Sequence, residues 1–264
     1  MLKQTSLNKF FKKRDFVEEG VVDVDVESPK KKIRQDVDGF EFNRCNLKNY
    51  KSFVENGLDV DYFERFLPKS YCNILYEFCL NHLVWYKHAY YDRNKQQYLP
   101  YARFQTHFDL NSPQFPDGLE STLKIIKEAT NAEYNFVLLN LYIDGSDHIG
   151  YHSDKEVDEN SAIASLSIGG AREFLLRRIE DHKDKKTFFL GNGDLLIMKG
   201  TTQSAWQHSV PARSLNKLHH PRINFTFRSM TTDAYGRRNG PDSEPFMFKN
   251  NKMVSIATDN GTSQ

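Results

Sequence analysis

The seven residues Arg222-Ile-Asn-Phe-Thr-Phe-Arg228 constrain this chain more than any other stretch. Side chains on a strand alternate between two faces. Arg222, Asn224, Thr226 and Arg228 therefore share one face, and Ile223, Phe225 and Phe227 share the other. The apolar face belongs in a core. The opposite face carries two guanidiniums, an amide and a hydroxyl, and two like charges inside a barrel are costly unless an anion answers them. A guanidinium is a planar fork that suits a carboxylate. Two of them on one face can grip the two ends of a dicarboxylate.

Such a strand needs a sheet around it. From Phe136 onward the pattern reads as short strands at 136–143, 162–168, 173–177, 187–190, 194–198, 205–210 and 222–228. Turns at Asp144-Gly145, Gly169-Gly170 and Gly191-Asn192-Gly193 separate them, and Asp194 reads as a residue that fixes its turn. Many short strands with glycine turns indicate a sandwich or barrel. Twenty Phe and thirteen Tyr suit a sheet-rich core. Two supporting helices are expected. One spans about 69 to 82, where Tyr71, Ile74, Leu75 and Phe78 recur at helical spacing. The other spans about 118 to 130, after Pro116-Asp117, with Leu119, Leu123 and Ile126 as its buried stripe. The segment from Tyr90 to Leu110 reads as aromatic and irregular. The expected class is mainly β with flanking helices, α+β.

The same parity puts Asn140 and Tyr142 on one face of their strand. His152 and Asp154 share a face if their segment is extended, so an imidazole and a carboxylate can reach one metal, and His208 can supply a third ligand from a distant strand. Two His and one carboxylate leave three positions open for substrate and oxygen, as an Fe(II) centre requires and a closed structural zinc site does not. His148 lies four residues before His152, but Gly145 and Gly150 argue against a helical metal pair.

The rest of the chain sets the context. A formal net charge of +1 gives no global pull on nucleic acid, so any such surface must come from local clustering. Cys45, Cys72 and Cys79 are too few and too odd in number for a secreted disulfide framework, which points to a reducing compartment. No apolar run approaches the ~18 residues that span a bilayer, and no membrane association is expected. Residues 1–57 sort into charge blocks and read as a disordered tail. Within it, Leu7, Phe10 and Phe11 fall on one side of a single turn. The run Pro29-Lys30-Lys31-Lys32-Ile33-Arg34 reads as a nuclear localisation signal. A domain at 58–230 is expected to be followed by a polar tail at 231–264, from which Phe246 and Phe248 could fold back.

Taken together, His152-x-Asp154, His208 and Arg222-x-Asn224-x-Thr226-x-Arg228, preceded by Asn140-x-Tyr142, resemble the AlkB family of Fe(II)- and 2-oxoglutarate-dependent dioxygenases, most closely its eukaryotic nuclear DNA-repair branch. The resemblance covers about residues 60 to 230. It extends to Asn135-Phe-Val-Leu-Leu-Asn140, Asp147-His-Ile-Gly-x-His152, Ile163-Ala-Ser-Leu-Ser167 and Trp206-x-His208-Ser-Val-Pro211. It implies a double-stranded β-helix (jelly roll) core. It assigns His152, Asp154 and His208 to Fe(II), and Arg222 and Arg228 to the two carboxylates of 2-oxoglutarate. Asn140, Tyr142, Asn224 and Thr226 would line that site. Glu156 and Arg103 would face nucleic acid. The segment Pro100–Phe108 is shorter than the family's damage-reading hairpin; Phe104 and Phe108 are its candidate contacts for a flipped base, with His107 and Tyr151 as other aromatic choices.

The implied reaction consumes O2 and 2-oxoglutarate and hydroxylates an N-methyl group on bases such as 1-methyladenine and 3-methylcytosine in DNA. It releases succinate and formaldehyde. A target base must be flipped out or single-stranded. Gln4, Leu7, Phe10 and Phe11 resemble the peptide box that docks on the sliding clamp PCNA. The expected partners are therefore DNA, with RNA as the alternative, and PCNA, for a nuclear monomer. Rival readings are an RNA demethylase, a protein hydroxylase or demethylase on the same scaffold, and a non-catalytic PCNA-binding adaptor. The adaptor would be marked by a lost ligand or Arg, and none is missing.

Overall fold

The computed structural model describes residues 40–154, 157–158, 161–214, 220–231, 244–249 and 252–256. The clamp-type box, the basic run at 29–34 and Glu156 lie outside the described residues. In chain order the strands and helices are β1 Tyr50–Glu55, β2 Leu58–Phe63, α1 Lys69–His82, β3 Trp85–Lys87, β4 Ala89–Asp92, β5 Gln97–Pro100, β6 Phe104–Asp109, α2 Glu120–Thr130, β7 Phe136–Tyr142, β8 Ile149–His152, β9 Ile163–Gly169, β10 Arg172–Arg178, β11 Lys185–Leu190, β12 Leu195–Met198, α3 Thr202–Ala205, β13 Trp206–Val210, β14 Arg222–Arg228, β15 Glu244–Lys249 and β16 Lys252–Ser255.

Two antiparallel sheets carry the architecture. The larger runs β1-β2-β12-β9-β14-β7-β6-β3-β15-β16, and the smaller runs β11-β10-β13-β8. Two separate apolar clusters show how they stack. One joins the inward stripes of α1 and α2, including Tyr71, Leu75, Ile125 and Ile126, to Val137, Leu139, Ile223 and Phe225 of the larger sheet. The other joins Phe136, Leu138, Ile163 and Leu196 of that sheet to Phe174, Leu176 and Val210 of the smaller one. The layers are thus helices, large sheet, small sheet, a jelly-roll arrangement. Every residue of β7 and β14 is buried, because each strand packs helices on one face and the inter-sheet space on the other. No helix among the described residues is long and apolar enough to cross a membrane.

The structure extends further than the expected 58–230. Phe40 is buried and stacks on Tyr71 of α1 with ring centroids 4.0 Å apart, and β1 pairs with β2 from Tyr50↔Phe63 to Glu55↔Leu58. β1 is an edge strand whose burial is limited to a half-buried Phe53, so it carries no amphipathic signal. The segment from Tyr90 to Leu110, read as irregular, holds most of β4 and all of β5 and β6. At the far end, β15 adds to β3, Phe248 is buried, and Phe246 meets Phe104 edge-on at 5.1 Å.

Asp194 does more than fix a turn. Its Oδ1 accepts from the Arg65 amide at 2.8 Å, and its Oδ2 accepts from Tyr62 Oη and the Gly191 amide, each at 2.8 Å. Gly193, at φ +88°, sits where an added Cβ would lie 2.4 Å from the Leu67 carbonyl oxygen. The β11–β12 turn is thereby clasped to the segment between β2 and α1. Asp194→Ala would leave three donors without their acceptor and should cost about 2–4 kcal/mol, read in urea unfolding. A loss under about 0.5 kcal/mol, the range of an ordinary surface change, would contradict this account.

Candidate functional site

The site follows from register. β14 lies between β7 and β9, and directly paired residues point to the same face. Arg222 pairs with Tyr142, Asn224 with Asn140 and Ser167, and Thr226 with Leu138 and Ser165. The polar face of β14 therefore looks into the space between the sheets. On the smaller sheet, β13 pairs with β8 so that His208 lies opposite His152. The two faces enclose a cavity of about 750 Å3 whose walls include Asn140, Tyr142, Asn224, Thr226 and Arg228 from the large sheet, and His152, Asp154 and His208 from the other side.

The two imidazoles and the carboxylate converge. His152 Nε2 is 3.9 Å from Asp154 Oδ1, His208 Nε2 is 3.9 Å from Asp154 Oδ2, and the three ligand atoms lie within 4.8 Å of one another. His152 Nδ1 is 2.9 Å from the Gly150 carbonyl oxygen. That contact requires Nδ1–H and leaves the Nε2 lone pair aimed at the centre, the usual way a second partner sets a metal-binding tautomer. The Asp154 amide donates to Gln203 Oε1 of α3 at 2.9 Å, which fixes the chain beyond β8. Burial lowers the pKa of His152, and burial foremost, with the neighbouring His152, takes His208 down to about 3. Both rings are then neutral near pH 7, as ligation needs. Arg228 Nη2 pairs with Asp154 Oδ2 at 3.0 Å and orients that carboxylate. This donor set fits a divalent metal with open coordination positions.

Arg222 marks a second binding feature. It is 1% exposed, and its Nη2 donates to Ser167 Oγ at 2.8 Å. Its Nε and Nη1 have no acceptor in hydrogen-bonding geometry among the described residues, and burial pulls its pKa down to about 10. A buried cation with two open donors fits one carboxylate of a dicarboxylate. The polar groups beside it are held in place. Asn224 Nδ2 donates to Ser165 Oγ at 2.9 Å, and Thr226 Oγ1 donates to Asn224 Oδ1 at 3.2 Å. Asn140 Oδ1 accepts from Arg103 Nε and Gln105 Nε2, each at 2.8 Å. Two donors on one atom identify it as the amide oxygen and leave Nδ2 as the group Asn140 can offer.

The expected substrate contacts divide. Arg103 is buried, lines the cavity, and lies 4.8 Å from the Tyr101 ring centroid. Phe104 and Phe108, expected against a flipped base, instead face away from the cavity. β6 pairs with β7 at Phe104↔Leu141 and Phe108↔Val137, residues of the helix-side core, and Phe108 meets Phe115 edge-on at 6.2 Å. The odd positions Arg103, Gln105 and His107 point inward instead. Tyr151 borders the cavity, with the Arg177 guanidinium 3.9 Å from its ring centroid. Ser165, Ser167, Gln105 and Gln203 also belong to the hydrogen-bond network of the site. Period-two spacing of Ser165 and Ser167 within Ile163-Ala-Ser-Leu-Ser167 was a readable signal for the first two. Gln203 had none, because it acts from a one-turn helix distant in sequence.

Comparison with known proteins agrees with this geometry. A family model described as the 2OG-Fe(II) oxygenase superfamily matches residues 80–228, more than half of the chain. The chain is 38% identical over 125 residues to mouse (Mus musculus) DNA oxidative demethylase ALKBH2, covering 42% of this chain and 50% of that protein. It is 34% identical over 148 residues to mouse alpha-ketoglutarate-dependent dioxygenase alkB homolog 3, covering 52% and 51%. Against DNA oxidative demethylase ALKBH2 of Arabidopsis thaliana it is 28% identical over 212 residues, covering 66% and 67%. The chain spans about half the length of the mouse relatives it matches.

Two outcomes are expected. Mn(II) at a hundredfold excess over its Kd should stabilise the folded chain by about 2.7 kcal/mol, read as a rise in melting temperature. His208→Ala or Asp154→Ala should abolish that rise; an undiminished rise in either variant would place the metal elsewhere. The second concerns Asp147, whose Oδ2 accepts from the Ile143 amide at 2.7 Å. Burial foremost raises its carboxyl to about 6, against the opposing effects of that hydrogen bond and Lys87. Its folded pKa lies above the unfolded value of about 3.9. Its stabilising contribution is therefore full below that value and is lost as pH rises through about 6. The stability of wild type relative to Asp147→Asn should fall between about pH 4 and pH 7 in urea melts, and a flat difference would contradict the raised value.

Proposed function

The chain belongs to the 2OG-Fe(II) oxygenase superfamily, and from that premise we propose that it oxidatively demethylates N-alkylated nucleobases in DNA. It requires Fe(II) and 2-oxoglutarate. The reading rests above all on one observation: the convergent His152, Asp154 and His208 share a cavity with Asn224, Thr226 and Arg228 of the polar face of β14, and the same strand face carries the buried Arg222 with two open donors behind Tyr142.

The residues divide the work as follows. His152, Asp154 and His208 would hold Fe(II), which with O2 and 2-oxoglutarate supplies the oxidation of a methyl C–H bond. Arg222 would hold the far carboxylate of the cosubstrate, since its Nε and Nη1 have no other acceptor among the described residues. Arg228 orients Asp154 and adds positive charge beside the near carboxylate. Asn140 and Tyr142 line the space between, and Asn224 and Thr226 brace one another and Ser165 below it. Oriented groups of this kind act by positioning and by excluding competing reactions. Arg103, Tyr101 and His107 form the polar and aromatic wall against which a flipped base would lie, with Glu156 as a further contact. Hydroxylation turns the N-methyl into an N-hydroxymethyl group; its C–N bond then breaks, the carbon leaves as formaldehyde as the hydroxyl gives up its proton, and the nitrogen keeps the bonding pair, which restores the base.

The names of the mouse and Arabidopsis relatives favour DNA over RNA or protein. The clamp-type box at Gln4, Leu7, Phe10 and Phe11 and the basic run at 29–34 favour a nuclear enzyme brought to DNA by PCNA.

The test supplies Fe(II), 2-oxoglutarate and O2 with oligonucleotides carrying 1-methyladenine or 3-methylcytosine, in single- and double-stranded DNA and in RNA, beside methylated peptides. Formaldehyde and succinate are expected with methylated DNA, and His152→Ala should reduce both at least a hundredfold, the order lost when one essential catalytic group is removed. Formaldehyde formed from RNA alone or peptide alone would overturn the substrate reading. Phe10→Ala combined with Phe11→Ala should remove PCNA binding and leave activity on free oligonucleotides unchanged.

A further inference from the structure

Arg172 is a buried charge that the mechanism above leaves unused. It opens β10, is 4% exposed, and reaches from the small sheet toward the large one. Its Nη1 donates to the Asp144 carbonyl oxygen at 3.0 Å. Its Nη2 donates to the Asp147 carbonyl oxygen at 2.7 Å and to the Pro211 carbonyl oxygen at 2.9 Å. One guanidinium thus fastens the turn after β7 to the turn after β13. The same group lies 5.3 Å from the Tyr142 ring centroid, and the guanidinium of Arg222 lies 5.4 Å from that centroid. Tyr142, which lines the cavity, is therefore held against two guanidiniums.

Every donor contact of Arg172 goes to a backbone carbonyl. Carbonyls satisfy its hydrogen bonds without an ion pair; the Asp144 and Asp147 carboxylates offset part of its charge, and the rest acts on Arg222. Two buried cations against one tyrosine form a site whose electrostatics favour an anion. A rigid fork that spans three carbonyls cannot be reproduced by the point charge of a lysine.

We propose that Arg172 is a positioning residue for the far carboxylate of 2-oxoglutarate: it locks the turns beside Tyr142 and adds charge behind Arg222, without touching the metal centre. The inference rests on the function proposed above. It places selection for a dicarboxylate in a residue of the small sheet, six positions before Arg178 and well away in sequence from β14.

The experiment uses the full chain loaded with Mn(II), with wild type, Arg172→Lys and Arg172→Gln compared by calorimetry. Binding of 2-oxoglutarate and of 2-oxobutyrate, which lacks the far carboxylate, is measured beside Mn(II) affinity and melting temperature. Arg172→Gln should weaken 2-oxoglutarate about tenfold, the order expected when a charge-assisted arrangement is lost, and leave 2-oxobutyrate and Mn(II) binding unchanged. Arg172→Lys should fall between. In turnover the KM for 2-oxoglutarate should rise while kcat at saturation holds. Equal weakening of both oxoacids, weakened Mn(II) binding, or unchanged affinity for 2-oxoglutarate would each overturn the inference. If Arg172→Gln does not fold, Arg172→Lys carries the same comparison. Wild-type protein that fails to bind 2-oxoglutarate would overturn the functional reading and this inference with it.

Discussion

The structure depends on burying a guanidinium. Arg222 lies almost completely out of solvent in the middle strand of a sheet, and taking such a charge from water costs several kcal/mol even after relaxation. The protein answers only part of that cost. Ser167 accepts one hydrogen bond, and the Tyr142 ring lies beside the cation. Two donor nitrogens are left for something else. A core of this size could replace the charge with an apolar side chain and gain stability. Its presence is explained by a ligand that carries a carboxylate to that depth.

The remaining features arrange themselves around this demand. The inward face of β14 is polar, and the outward face, with Ile223, Phe225 and Phe227, is locked to the helix-side core. A one-residue slip would send the apolar set into the cavity and the charges into the helices, so register is strongly specified. At the other end of the strand, Arg228 meets Asp154, and this ion pair joins the large sheet to the segment that follows β8. His152 and His208 come from the small sheet. The three metal ligands therefore come from the small sheet and the segment just after it, with the β13–β8 register setting the two imidazoles opposite one another. The large sheet contributes Arg228, which orients Asp154.

This division explains what could be read from the residues. β14 was legible because its alternation is strict and both faces are committed. The two histidines and Asp154 were legible as a set, since extended His-x-Asp places both side chains on one face. β6 was harder. Arg103-Phe-Gln-Thr-His-Phe-Asp109 alternates too, yet its aromatic residues occupy the core face, and its cavity face is made of an arginine, a glutamine and a histidine. β1 was hidden for another reason. It is stabilised by pairing with β2 and buries little of its own side chains, so period-two hydrophobicity has nothing to report. Arg172 and Gln203 act through backbone groups far away in sequence, and their roles depend on the packing of turns that no local pattern encodes.

The most direct measurement is a crystal structure of the full chain grown anaerobically with Mn(II) and 2-oxoglutarate. The account expects the metal bound by His152 Nε2, Asp154 and His208 Nε2, with the near end of 2-oxoglutarate on the metal and the far carboxylate against Nε and Nη1 of Arg222. Metal bound by other residues, or a cosubstrate whose far carboxylate lies away from Arg222, would contradict it.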